Sequence, residues 1–327
     1  MDTVHNPHDA LFREIYSRKA EAQSFLEHYL PKDVLDLFEP NSLDICKDSF
    51  VDEELKAYYS DILYTVQLDG QKGYVYVLFE HKSYPDRVIH LQVLEYMLKI
   101  WRLHLSQHKG EKKRTLPIIL PLILYHGGET WPYGRRLSDL LCGPTDKLAD
   151  YIPDFDLLFT DLSDYTDDEI RGTILSRVVL LLFKHIFDAD IRTRLPDILE
   201  LLRAIMAQEH GLRMLEIVLR YIYSAVDSLS AEDIAEVAEQ VLYEQGGGLS
   251  MTIAQQLEQK GLEKGLEKGE VIGGILFAQR MLKLSIYDHK ELEQKDPDEL
   301  RHLLTKLEAA VLEREQPEHP KLQASDL

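Results

Sequence analysis

The stretch SDILYTVQLDGQKGYVYVLFEHKS, Ser60 to Ser83, decides the fold. Two runs rich in β-branched and aromatic residues, Ser60–Leu68 and Tyr74–His81, flank Asp69-Gly70-Gln71-Lys72-Gly73. A turn signal between two such runs predicts a β-hairpin. With a two-residue turn at Gly70-Gln71, Ile62 falls opposite Phe79, Tyr64 opposite Val77 and Val66 opposite Val75. That makes one apolar face, as a buried sheet requires. On the other face the same register sets Asp61 directly across from Glu80, with Cβ atoms about 5 Å apart. Lys82 follows Glu80 at period two and emerges on the same face.

Two opposed carboxylates repel and weaken a sheet, and a divalent cation between them removes that cost. Hard oxygen ligands suit Mg²⁺ or Mn²⁺, with water and a substrate phosphate completing the shell. An ammonium such as Lys82 orients the attacking water or offsets phosphoryl charge. In outline this is a site for phosphodiester hydrolysis. The triplet D…E-x-K alone is weak, since ordinary surface hairpins carry it too. Here it closes an apolar strand, and the register converges all three residues. Gln92 and Tyr96 then recur four residues apart on the following helix, on one face. The same spacing also fits a half-buried amphipathic surface.

Outward from the hairpin, residues 9–30 read as an amphipathic helix carrying Leu11, Phe12, Ile15, Phe25, Leu26 and Tyr29, ended by Pro31. Pro85 precedes a helix from about Asp86 to His108. Leu116–Tyr125 is a continuous apolar run that suits a buried central strand, and Phe155–Asp161 reads as a further short strand. From Thr166, where Thr166 and Glu169 form a capping-box pair, the texture turns helical to about Gln245. Gly246-Gly247-Gly248 reads as a linker. The expected organisation is an α/β core over residues 1–165, an α-helical region over 166–245, and a glycine-spaced helical tail over 246–327.

Composition bounds the rest. The chain has 327 residues, 45% of them hydrophobic, enough for a packed core. Cys46 and Cys142 have no metal-type spacing, so neither a disulfide scaffold nor a zinc site is indicated. No signal-peptide pattern opens the chain, and Leu116–Tyr125 is too short to span a bilayer. A reducing, cytoplasmic location without membrane contact is the expectation. The net charge of −20 argues against a polyanionic partner. From Gln71 to Arg136, however, Lys and Arg outnumber Asp and Glu eleven to five. This basic segment holds the E-x-K strand, Gln92 and the Lys112-Lys113-Arg114 loop, and could hold DNA phosphates.

Taken together these residues resemble the PD-(D/E)XK nuclease superfamily, in the branch with Q-x-x-x-Y after the E-x-K strand. The likeness is closer to one family within it, the recombination-promoting nucleases (Rpn), also called YhgA-like transposases. His8, Asp9 and Phe12 carry that likeness, with Phe25-Leu26 and Leu30-Pro31, Ser60–Tyr64, Phe79–Ser83, Pro121–Gly127 and Trp131. It covers about residues 5–245, and the tail is similar too. It implies a restriction-endonuclease-like core, a mixed sheet flanked by helices, with Mg²⁺-dependent DNA cleavage that promotes recombination. Asp61 and Glu80 would be metal ligands, Lys82 the catalytic lysine and Gln92 an auxiliary residue. Glu14 on the first helix would be a further carboxylate. Ser60 stands where the superfamily name has proline.

Some residues have two readings. His126, at a strand end before Gly127-Gly128, is either a substrate contact or a core histidine. His81 alternates to the apolar face and reads as a core histidine. Asp161 reads as a cap at a strand end. Gly261, Gly265 and Gly269 align on one face of the tail, which offers either a homodimer contact or only a weak helix. The competing function is a non-catalytic DNA-binding or scaffold protein that keeps the nuclease fold. A three-carboxylate transposase site is disfavoured by the E-x-K strand.

Overall fold

The computed structural model describes residues 7–39, 41–46, 62–80, 85–108, 115–128, 130–206, 210–226, 228–284, 286–295 and 297–315. The hairpin is there: β2 (Ile62–Leu68) pairs antiparallel with β3 (Gln71–Glu80). Its turn sits one residue earlier than expected. Asp69 and Gly70 both take positive φ, 48° and 75°, the type I′ pair whose twist matches that of the strands. Asp tolerates this left-handed conformation and Gly adopts it freely. Two hydrogen bonds fix the turn, from the Asp69 amide to the Leu37 carbonyl (3.2 Å) and from the Gly70 amide to Glu39 Oε1 (2.9 Å).

The register therefore slides by two places. Ile62 faces Val77, Tyr64 faces Val75 and Val66 faces Gly73. An even slide leaves every side chain on its expected face. The direct opposition expected of Asp61 and Glu80 belongs to the other register. Asp61 itself lies outside the described residues.

β1 (Asp44–Ile45), β4 (Ile119–Tyr125) and β5 (Leu158–Asp161) complete a five-stranded mixed sheet in the order β1-β2-β3-β4-β5. The first two pairings are antiparallel and the last two parallel. The parallel step from β3 to β4 needs a crossover, and α4 (Ile89–Gln107) supplies it. α4 lays Ile89, Val93, Tyr96, Met97 and Ile100 against Leu63, Tyr74, Tyr76, Leu78 and Ile123 of the sheet. Each such side chain, once fully buried, contributes about 1.5–3 kcal/mol, so α4 is firmly held. The opposite face buries Ile62, Tyr64, Val66, Val75 and Val77. There the Tyr64 hydroxyl donates to the Tyr16 carbonyl at 2.7 Å. A strand buried on both faces explains why Leu116–Tyr125 shows no alternation.

The N-terminal helix divides into α1 (Pro7–Tyr16) and α2 (Lys19–Tyr29), where one helix was expected. Arg18 is extended, at φ −98° and ψ 123°, and its side chain folds back to the Glu14 carbonyl (3.2 Å) and the Glu14 carboxylate (2.9 Å). The following helices are α3 (Lys32–Leu35), α5 (Ile174–His185), α6 (Ile191–Glu200), α7 (Arg203–Met206) and α8 (Gly211–Ala225). The Thr166 capping pair opens only a short 3-10 turn; α5 starts later, capped by Thr173, whose Oγ1 accepts from the Ser176 amide. Helices α1, α5 and α8 are tied together. Tyr16 Oη lies 3.0 Å from Ser176 Oγ, and His8 Nδ1 lies 2.8 Å from Tyr221 Oη.

The chain forms two compact units, Met1–Ile253 and Ala254–Leu327. The sheet and helices α1–α8 lie in the first. Helix α9 (Ala231–Leu282) runs on through Gly246–Gly248, which the sequence suggests as a linker. Each glycine costs about 1 kcal/mol in a helix, and the helix-forming residues on either side carry that cost. In the second unit Ile272, Ile275 and Ala278 of α9 pack with Leu292 of α10 (His289–Glu293) and with Leu300, Leu303 and Leu307 of α11 (Pro297–Glu315). Among the described residues no helix is long and apolar enough to cross a membrane.

Candidate active site

Parallel pairing brings three strand ends into one row. Glu80 of β3 is level with Tyr125 of β4, and Tyr125 is level with Asp161 of β5. In open α/β sheets this carboxyl end is where ligands bind. The first turn of α4 follows closely in sequence, opened by the Val88 amide donating to Asp86 Oδ1 at 2.9 Å. Asp61, Lys82 and His81 lie outside the described residues, and of Glu80 only the backbone is described.

Gln92 and Tyr96 stand one turn apart on α4. Gln92 is half-buried. Tyr96 is buried and stacks on Tyr76 of β3, with ring centroids 5.3 Å apart. The Q-x-x-x-Y face is thus the edge of the α4–sheet contact, and Tyr96 packs there as a core ring. His90, which no sequence spacing singles out, is 1% exposed. Its two ring nitrogens have no hydrogen-bond partner among the described residues. A buried imidazole left in that state is costly.

The other candidates fall elsewhere. Glu14 is on the solvent side of α1, paired with Arg18 at 2.9 Å and with Arg213 at 3.9 Å. His126 follows Tyr125 but is 2% exposed. Its Nδ1 lies 3.2 Å from the Phe183 carbonyl, and its ring packs on Phe187 and on His8. It belongs to the core between β4 and the helices. Asp161 is a buried anchor with three hydrogen bonds. Oδ2 accepts from the Trp131 amide (2.9 Å), and Oδ1 accepts from the amide (2.9 Å) and hydroxyl (2.8 Å) of Ser163. It fixes the turns after β4 and β5 together.

Charge in the basic segment is partly spent within the chain. Lys99 pairs with Glu95 at 3.0 Å. Arg136 binds Asp154 at 2.5 Å and Asp156 at 3.5 Å. The Ser138 amide, followed by Arg136, holds the Asp154 carboxyl below the usual carboxylate range. Lys112, Lys113 and Arg114 lie outside the described residues.

A mixed sheet with helices on both faces, and strand ends converging at an E-x-K strand, is consistent with a nuclease-like α/β core. The chain belongs to the family described as "Putative transposase, YhgA-like", whose model matches residues 6–213. It is 33% identical over 201 residues to recombination-promoting nuclease RpnD of Escherichia coli O157:H7, covering 61% of this chain and 75% of that one. It is 32% identical over 257 residues to recombination-promoting nuclease RpnA of Escherichia coli K12, covering 78% and 84%. It is also 31% identical over 282 residues to the inactive recombination-promoting nuclease-like protein RpnE of the same strain, covering 86% and 91%. No solved structure matches the chain.

Proposed function

We propose that the chain is a divalent-metal-dependent DNA endonuclease that promotes recombination, with Asp61 and Glu80 holding Mg²⁺ or Mn²⁺. The observation that carries this reading is the position of Glu80, the last residue of central strand β3, at the carboxyl edge shared with β4 and β5. The names of RpnD and RpnA support it. The donor set fits the ion, since paired carboxylates offer hard oxygens. In sequence Asp61 immediately precedes β2, and Glu80 ends β3, the strand paired with it.

When bound, the divalent ion supplies Lewis acidity at the phosphoryl group. Lys82 offsets negative charge growing on the phosphoryl oxygens. The half-buried amide of Gln92 can orient a water or a phosphate oxygen from the start of α4. Plasmid nicking with Mg²⁺, Mn²⁺ or chelator tests the reading. Wild type should nick only with metal, and Asp61→Ala and Lys82→Ala should each lose at least 100-fold. Equal nicking by all three proteins would sink it.

The likeness to RpnE favours keeping a second reading, a non-catalytic DNA-binding or scaffold protein. The intact Asp61, Glu80 and Lys82 of the sequence speak for catalysis, because two carboxylates and an ammonium are the residue types that a divalent ion and a phosphoryl group require. The assembly reading is a homodimer through the tail. Among the described residues nothing lies within 4 Å of where a Cβ would stand on Gly265, Gly269 or Gly273, which leaves room for a second helix.

A further inference from the structure

Beyond β4 the sequence Trp131-Pro132-Tyr133-Gly134-Arg135-Arg136 makes a surface turn. Trp131 sits in the row of strand ends, its amide on Asp161 and its ring 5.1 Å from Tyr125 and 4.9 Å from Phe159. It belongs to the same cluster as Tyr76, Tyr96 and Leu78. Tyr133 packs edge-on against Trp131 at 5.7 Å, yet is 37% exposed. The Arg135 guanidinium lies over the Phe159 ring at 5.1 Å, half-exposed, with a loose contact to Asp164 at 3.9 Å. Arg136, by contrast, is committed to Asp154 and Asp156.

The turn is rigid. The Leu157 amide donates to the Arg135 carbonyl (2.9 Å) and the Leu137 amide to the Phe155 carbonyl (3.1 Å). Asp139 closes over Gly134, where a Cβ would collide with its carboxylate, and accepts from the Arg136 amide at 3.0 Å. The Trp131 indole N–H is buried without an acceptor among the described residues. An exposed ring on a braced turn, beside an accessible guanidinium, is pre-organised for stacking at low entropic cost. Nucleic-acid bases stack on such rings in any sequence, whereas a duplex keeps its bases stacked on each other.

We propose that Tyr133 is a stacking platform for one unpaired base and that Arg135 takes an adjacent phosphate, so that the DNA held here is a single strand or a locally unpaired stretch of a duplex such as a supercoiled plasmid. The claim rests on the nuclease reading for its relation to cutting, but not for binding. Two strand spacings separate β3 from β5, roughly 10 Å. The platform therefore holds a base within a few nucleotides of the bond cut near Glu80.

Binding without metal separates the two claims. Anisotropy is measured for a labelled 12-mer single strand and its blunt duplex, with chelator present. The single strand should bind more tightly than the duplex. Tyr133→Ala should weaken it about tenfold and Tyr133→Phe hardly at all, since stacking needs the ring alone. Arg135→Ala should lower the salt slope by about one. Thermal melts check that each variant is folded. The platform is overturned if folded Tyr133→Ala binds as wild type, if Tyr133→Phe is as weak as Tyr133→Ala, or if the duplex binds as well as the single strand. Loss of metal-dependent nicking with Tyr133-dependent binding intact would remove the nuclease reading alone.

Discussion

At the scale of single residues, positions with one strong structural demand are the most telling. Gly70 stands at φ 75° in the hairpin turn. An L side chain there costs about 1–2 kcal/mol, so Gly70→Ala should lower the urea midpoint by a corresponding amount without changing the slope. An unchanged midpoint would mean the turn re-forms in another type. Asp161 is more demanding, because it is 2% exposed and receives three donors. Removing it leaves the buried Trp131 amide unpaired, at about 1–3 kcal/mol, and releases the part-buried amide and hydroxyl of Ser163. Asp161→Ala should therefore melt well below wild type, and Asp161→Asn in between. The sequence marks Asp161 as a strand-end cap, which it is, but gives no hint that Trp131 is the second thing it holds. That contact spans thirty positions and leaves no local pattern. The turn position was ambiguous for a simpler reason. Asp-Gly and Gly-Gln both make plausible central pairs, and only the backbone φ of Asp69 decides between them.

At the scale of elements, β3 is the best defined by its sequence. Its apolar run is one strand, closed by the glutamate of the E-x-K triplet, and the observed strand ends at Glu80. β4 was equally legible, as an uninterrupted apolar run. The break between α1 and α2 was not, because Ser17-Arg18 interrupts no hydrophobic period. It comes from a side chain folding back and from the docking of Tyr16 on α5. The candidate site was legible as residue types but not as geometry, since its register depended on the turn. Charge couples the next elements. Burial opposes ionisation of Asp167, but hydrogen bonds from Lys184 and His185 outweigh it and hold its carboxyl below its ordinary 3.8. A carboxyl depressed on folding contributes stability above its unfolded pKa and loses it as pH falls through the folded one. Wild type should lose stability relative to Asp167→Asn as pH falls through 3.8 and then through the lower folded value. Parallel acid melting curves for the two proteins would contradict that linkage. Asp167 is half-exposed, so solvent screens much of the effect.

At the scale of the whole molecule, the charge distribution and the assembly make separate claims. A chain of net charge −20 that binds DNA must do so through a restricted surface. Its DNA affinity should fall steeply with added salt; affinity indifferent to salt would place the interaction elsewhere than on phosphates. A homodimer through the tail should show as a doubled mass in sedimentation, reduced by Gly269→Leu, while a monomer at all concentrations would discard it.

The outermost strands of the sheet are also its shortest among the described residues, two residues in β1 and four in β5. A short rim offers a passing chain few unpaired amides and carbonyls on which to add a strand. Copies of this protein are thus discouraged from zipping together backbone to backbone along these two strands.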